Sequence, residues 1–306
     1  MNNPGVALLF LFAFSVCATE AQTARQYIDS GLEYKASADY SQALDFFSKA
    51  IAADSTADKA YYEKALLLVP MKKYPEALQN INTALHIDSN RADYYNARGN
   101  IKGLMGNHIA SIDDFNKAIA LDPVPVKYYF NRAQAKYFTK NYTGAIADLA
   151  VVIKNNPSDT DAFEGRASSF YRLKDFQSAL SDLSTAIQLK PDNYSAYANR
   201  ALIYIALKKN DAALNDFAKS IAINPDYSFA YFNRGKLLAN MSYDKKALQD
   251  FDKAIELNPA FAEAYYQRAM IYTGQYKNNK ACEDLNKASG LGYTNATEKM
   301  KELCRK

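Results

Sequence analysis

Tryptophan is absent from the sequence, histidine occurs twice and cysteine three times in 306 residues. His86 and His108 stand at no telling spacing from a cysteine, serine or acid, and no HExxH, phosphate loop or CxxC occurs. The common metal-site and hydrolase patterns are therefore missing. Both histidines read as surface or packing residues, and no catalytic residue, metal or cofactor is expected. Basic blocks are missing too. The 37 Lys and Arg residues are mixed with 33 Asp and Glu, for a formal charge of +4, which argues against nucleic acid or an anionic membrane as partner. No segment beyond the N-terminus reaches 18 uninterrupted apolar residues, so no transmembrane helix is expected.

About half of the residues are apolar, with 24 Tyr and 16 Phe, a composition of packed rather than disordered chains. Val6 to Ala18 is an uncharged apolar run of 13 residues followed by small residues. That is the length of a signal-peptide core and too short to span a bilayer. Residues 1–21 are read as a signal peptide, cleaved after Ala21 or Ala18, and the protein as exported to the periplasm, envelope or exterior. Because no Lys or Arg precedes Arg25, an apolar N-terminal helix is the alternative. Lipidation of Cys17 is disfavoured, since Phe14–Ser15–Val16 lacks the small residue usual before such a cysteine.

The interior is periodic. Pro123, Pro157, Pro191, Pro225 and Pro259 lie 34 residues apart, and each interval holds two amphipathic helical patterns. Units are set at 24–57, 58–91, 92–125, 126–159, 160–193, 194–227, 228–261 and 262–293. Position 4 of each is aromatic: Tyr27, Tyr61, Tyr95, Tyr129, Phe163, Tyr197, Tyr231 and Tyr265. Position 8 is Gly or Ala, position 20 Ala or Ser, and position 24 Phe, Leu or Ile. Positions 4, 8 and 11 form one helical stripe, and 20, 24 and 27 form another. Small residues at 8 and 20 let the two helices approach, and the large ones fill the space between them.

This pattern resembles the tetratricopeptide repeat family and covers about Ala24 to Tyr293. The resemblance implies an all-α fold, an α-solenoid of stacked antiparallel helix pairs wound into a right-handed superhelix. Repeats 1 and 2 depart from it, with Ser55 and Ser89 where the prolines stand. Pro70 should end its helix early, whereas Pro75 and Pro125 fall near helix starts, where the missing N–H costs little. Gly103 and Gly106 suggest a looser third hairpin. After repeat 8, residues 294–306 should form a covering helix that Thr294 or Asn295 can cap and that runs to about Cys304. Cys282 and Cys304 lie symmetrically about residue 293, so a disulfide between them is one reading and two buried thiols the other. The run ACEDLNKASGLGY resembles the finish of some exported bacterial members of the family.

Position 7 is Arg98, Arg132, Arg166, Arg200, Arg234 and Arg268, and position 23 is Asp114, Asp148, Asp182, Asp216, Asp250 and Asp284. Both residue types are missing together from repeats 1 and 2. The two positions are equidistant from the helix–helix turn, so they should pair within a hairpin or with the adjacent one. The reading is structural, because matched carboxylates would spoil a polyanion track.

The resemblance implies that the first helices line a concave face and contact ligand from positions 2, 5, 6, 9, 12 and 13. Position 6 supplies Asn131, Asn199 and Asn233. Some members carry an asparagine ladder there that holds extended peptides; the alternative is that these amides are solvated or support neighbouring helices. Surplus aromatics at positions 5, 12 and 13 add Phe130, Phe232, Tyr266, Tyr137, Tyr171 and Phe138, which either contact a partner or fill gaps between repeats. The Lys and Asn set with which chaperone-binding members hold a C-terminal carboxylate is not reproduced. The function expected is a non-enzymatic scaffold that binds a protein or peptide segment in the groove. The alternatives are a structural component of an envelope assembly that docks through its ends or convex face, and the binding arm of a cell-surface glycan-processing system.

Overall fold

The structure is a computed structural model that describes residues 22–304. The N-terminal segment read as a signal peptide, Cys17 included, lies outside the described residues. The chain divides into two compact units, residues 1–155 and 156–306. The first contains α1 (residues 22–36), α2 (Tyr40–Ala53), α3 (Asp58–Leu68), α4 (Tyr74–Ile87), α5 (Ala92–Leu104), α6 (His108–Leu121), α7 (Val126–Phe138) and α8 (Tyr142–Asn155). The second contains α9 (Thr160–Arg172), α10 (Phe176–Leu189), α11 (Tyr194–Ala206), α12 (Asn210–Ile223), α13 (Ser228–Asn240), α14 (Asp244–Leu257), α15 (Ala262–Gly274), α16 (Asn278–Gly290) and α17 (Thr294–Leu303). Each unit is all-α, a stack of helix hairpins with no strand among the described residues.

Local chemistry sets the boundaries. Each second helix follows a residue in the left-handed region. Ala38, Lys72, Lys140, Lys174, Lys208, Ser242 and Tyr276 have φ between 57° and 63°, and Gly106 has 82°. A side chain there costs about 1–2 kcal/mol, so Gly106 relieves a strain that its siblings carry. The third hairpin is therefore as regular as the others, with helices of 13 and 14 residues, rather than looser. Except after α10, where Lys190 stands, the connections between hairpins begin with an Asp or Asn whose side chain accepts the N–H two residues on. Asp54, Asp88, Asp122, Asn156, Asn224 and Asn258 do this. Pro70 has the expected effect: α3 has 11 residues, two fewer than α5 or α7. Pro75 sits in the first turn of α4, and Pro125 caps α7.

The core is assembled between neighbours. One cluster joins Ala65 and Leu68 of α3, Ala77, Ile81 and Ala84 of α4, and Tyr94, Ala97 and Ile101 of α5, all buried. No hairpin closes its own core, which is the reason repeats stack. At the C-terminus, α17 buries Ala296 against Ala269, Ala281, Leu285 and Ala288, with Tyr266 and Tyr293 packed on the same cluster. The N-cap of α17 is Tyr293, not Thr294 or Asn295, and no side chain caps it by hydrogen bond. The Tyr293 ring stacks 5.1 Å from Tyr266 and holds the chain at that point. Cys282 and Cys304 are bonded, with their Cα atoms 5.8 Å apart, and tie the end of α17 to α16.

Within a hairpin the closest approach is at positions 8 and 24. A Cβ added to Gly31, Gly99 or Gly235 would fall 2.6, 2.7 or 2.9 Å from a ring carbon of Phe47, Phe115 or Phe251 respectively. Where position 24 is Leu or Ile, position 8 is Ala, as in Ala133 opposite Leu149. Ala201 opposite Phe217 is the exception. Gly99→Ala is therefore expected to lower stability by about 1–2 kcal/mol, because overpacking outweighs the helix propensity of alanine. Adding Phe115→Leu, which recreates the Ala133–Leu149 pair, should recover at least half of that loss. A thermal or urea double-mutant cycle reads the coupling, and additive losses would contradict the packing argument.

Candidate functional site

The charged ladder is closed within each hairpin. In all six pairs Arg Nη2 donates to Asp Oδ1 at 2.6–2.9 Å, and Nε donates to Oδ2 at 2.8–3.0 Å. The six aspartates are buried, between 4% and 6% exposed. Each guanidinium also lies 5.3–5.7 Å from the aromatic ring three residues earlier, from Tyr95 to Tyr265. Four of the arginines reach the preceding hairpin through Nη1: Arg98 to Asn82, Arg132 to Asn116, Arg200 to Ser184 and Arg268 to Asp252. Arg234 meets Ala218 at the equivalent position and has no such acceptor. The carboxylate bonds hold Arg200, Arg234 and Arg268 above the usual guanidinium pKa. With both partners committed, the ladder is a framework and offers no charge to a ligand.

The residues that sequence marks as ligand contacts fall into two groups. Phe232 and Asn233 are each 8% exposed. The Phe232 ring packs 4.5 Å from Phe261 and 6.1 Å from Phe251, and Asn233 donates to the Phe229 carbonyl one turn back. These two side chains belong to the packing of α13 and have almost no surface for a partner. Tyr266 is half-buried beneath Tyr293. Asn131 donates to Asn96 at 2.9 Å, and Asn199 donates to Glu164 at 3.3 Å. Asn131 and Asn199 thus tie their helices to the preceding first helix, whereas Asn233 is satisfied within its own helix. Phe130 and Tyr137 are half-buried, whereas Tyr171 is 37% and Phe138 63% exposed. Tyr137 packs edge-on to Tyr142, and Tyr171 lies 5.8 Å from Phe176.

In the N-terminal unit, Asn131 and Phe138 come together with residues that sequence did not mark. A pocket of about 420 Å³ lies among α5, α6 and α7, lined by Asn100, Gly103, His108, Gln134 and others. It exists because position 12 of α5 is Gly103, where α7 carries Tyr137; Ser111 lines it from α6. Phe138 stacks on the imidazole of His108 at 4.6 Å and 12° and forms one wall. Gly103 was the available signal, although beside Gly106 it suggests a loosened turn rather than an opening. In the C-terminal unit, Glu164 of α9 accepts from Asn193, Ser195 and Asn199 at the start of α11. An acid at position 5, where four other units carry an aromatic, was its signal.

Models of the tetratricopeptide repeat match residues 164–228, 251–283, 92–125 and 230–261. No curated protein matches the sequence. Among solved structures, the chain is similar to a tetratricopeptide repeat protein from Parabacteroides merdae at 19% identity, over 78% of this chain and 94% of that one, with a TM-score of 0.66. It is similar to the C-terminal part of a TPR repeat-containing protein from Cytophaga hutchinsonii at 20% identity, over 78% and 97%, with a TM-score of 0.61. It is also similar to YrrB, described as a TPR protein with an unusual peptide-binding site, at 23% identity over 60% and 95%, with a TM-score of 0.52. At these identities the likeness is one of fold. Among the described residues, no helix is long and apolar enough to cross a membrane.

Asp216 is buried with Arg200 as its one ion-pair partner among the described residues, so removing the arginine strands a charge. Arg200→Ala is expected to lower stability by about 3 kcal/mol. Thermal unfolding monitored by circular dichroism checks this, and an unchanged midpoint would refute the structural role.

Proposed function

We propose that this chain, which carries tetratricopeptide repeats, is a non-enzymatic scaffold that binds an extended segment of a partner protein along its first helices. The observation that carries this reading is the pocket opened by Gly103. It is concave, it has an exposed aromatic wall in Phe138, and it presents the side-chain amides of Asn100 and Gln134. An amide both donates and accepts, so it suits a peptide backbone, while a pocket of this size takes one apolar side chain of the segment. A protein of the same fold, YrrB, is described as having a peptide-binding site, which supports the class of ligand. Phe130 and Tyr137 lie on α7, the helix that carries Asn131, Gln134 and Phe138.

The reading includes export. The bond between Cys282 and Cys304 supports an oxidising compartment, since such pairs are rare where thiols are kept reduced. The expected state of the mature protein is fully oxidised, with no free thiol from either cysteine by non-reducing mass spectrometry. Cys282→Ser/Cys304→Ser should lose about 2–4 kcal/mol of stability. Reduced thiols in protein taken directly from cells would argue against export.

The binding reading has a separation-of-function test. Gly103 is helical, and a Cβ there comes no nearer than 3.7 Å to the Ser111 hydroxyl. Gly103→Leu therefore fills the pocket while favouring the helix by up to about 1 kcal/mol. A photo-reactive residue at Gln134 should crosslink one protein in intact cells, and Gly103→Leu should abolish the adduct without lowering the unfolding temperature. The same residue at exposed Lys117 of α6 should yield no such adduct. Equal adducts at both positions, indifferent to Gly103→Leu, would refute the reading.

A further inference from the structure

Four carboxylates on the first helices are buried or half-buried among the described residues: Asp58, Glu63, Asp93 and Glu164. Asp58 and Asp93 lie against Arg91 at 3.8 and 2.9 Å, and Glu63 accepts from Lys35 at 2.6 Å. Glu164 differs. Its carboxylate is held by neutral donors alone: Asn193 Nδ2 at 2.7 Å to Oε1, with Ser195 Oγ at 2.7 Å and Asn199 Nδ2 at 3.3 Å to Oε2. Among the described residues, no lysine or arginine forms an ion pair with it, the neighbouring Arg166 and Arg200 being held by Asp182 and Asp216. The holding group is itself fixed. Asn193 is 8% exposed and caps α11 by accepting from the Ala196 N–H at 3.1 Å. The carboxylate is thus placed and oriented by neutral groups.

Aromatic faces stand next to it. Tyr194 follows Asn193 and packs edge-on to Tyr227 at 4.8 Å, and Tyr227 lies 5.6 Å from Phe229. Burial raises the Tyr227 phenol, and the nearby Tyr194 and the charge of Glu164 raise it further. A fixed carboxylate beside ring faces is complementary to an organic cation, which gains from both the charge and the ring quadrupole.

We propose that Glu164, seated on Asn193, Ser195 and Asn199 beside Tyr194 and Tyr227, receives a lysine or arginine side chain of the segment bound along the first helices of the C-terminal unit. The inference rests on the reading of the chain as a peptide-binding scaffold and adds the charge of the residue recognised. Lys35 supplies a cation to Glu63 from within the chain, whereas among the described residues none is supplied to Glu164.

The test uses the full mature chain and random twelve-residue peptides displayed on phage. Recovered peptides should share Lys or Arg at one position. Changing that residue to Met should weaken binding about tenfold or more by fluorescence anisotropy, and less than twofold against Glu164→Gln, which keeps the size of the side chain. A photo-reactive residue beside the basic position should mark α9 or α11 of the wild-type protein, a readout that does not depend on the variant's folding. Peptides without a shared basic residue, crosslinks that map elsewhere, or an equal loss against wild type and Glu164→Gln would overturn the proposal and leave the scaffold reading standing. Failure to recover any peptide would overturn both.

Discussion

Every hairpin depends on one close approach, where a residue with little or no side chain on the first helix faces a large apolar residue of the second. At Gly31, Gly99 and Gly235 the clearance is too small for a methyl group in front of a phenylalanine ring. Alanine stands there when the partner is Leu or Ile, and Ala201 alone faces a ring. The approach fixes the distance between the helices, and the distance fixes what else can pair across them. One residue before position 8 is the arginine, and one before position 24 is the aspartate, so the close packing brings a guanidinium and a carboxylate to bidentate range. The aspartate is buried by the same contact, which makes it dependent on the arginine. The aromatic at position 4 then lies beneath the guanidinium rather than serving only as filler. Size, charge and ring stacking are three consequences of one geometric constraint.

Much of this could be read from the sequence, because residues at fixed spacing repeat the same physical statement. The helix pairs, the shortened α3 before Pro70 and the pairing partners of the six arginines follow from the repeat pattern. What could not be read is where tertiary context overrides local preference. Lys72, Lys140, Lys174 and Lys208 occupy left-handed backbone that their residue type disfavours, and only Gly106 advertises it. Tyr293 begins α17 without a capping side chain, although Thr294 and Asn295 are better caps, because its ring is held by Tyr266.

The candidate site was less legible for a related reason. A position that faces outward in one repeat is covered in another by whatever follows it. Phe232 and Asn233 occupy the same repeat positions as Phe130 and Asn131. Phe261 closes over the Phe232 ring, whereas Phe130 stays half-buried and Asn131 borders a pocket. The position-6 asparagines look like a ladder in sequence, yet each donates to a different group: Asn96, Glu164 or the Phe229 carbonyl. An amide that supports its neighbour is not thereby excluded from a groove, but it cannot be counted as an uncommitted donor.

The repeated residues are therefore the wrong place to look for specificity. In a stack of near-identical hairpins, a residue present in every unit satisfies a requirement present in every unit, and that requirement is packing. The ladder illustrates this, since its charges are consumed internally wherever they occur. Recognition of one partner requires features that do not repeat. Gly103 is such a feature, because it removes a side chain where α7 has Tyr137 and so opens a cavity in one place. Glu164 is another, because it sets an acid among positions that are otherwise largely aromatic and supplies no cation for it. Each departure would weaken the array if it served packing alone: a cavity forfeits contacts and a carboxylate held without a counter-charge forfeits attraction. That both sit on first helices, beside exposed or half-buried aromatic rings, makes them more consistent with recognition than with an imperfect copy of the repeat.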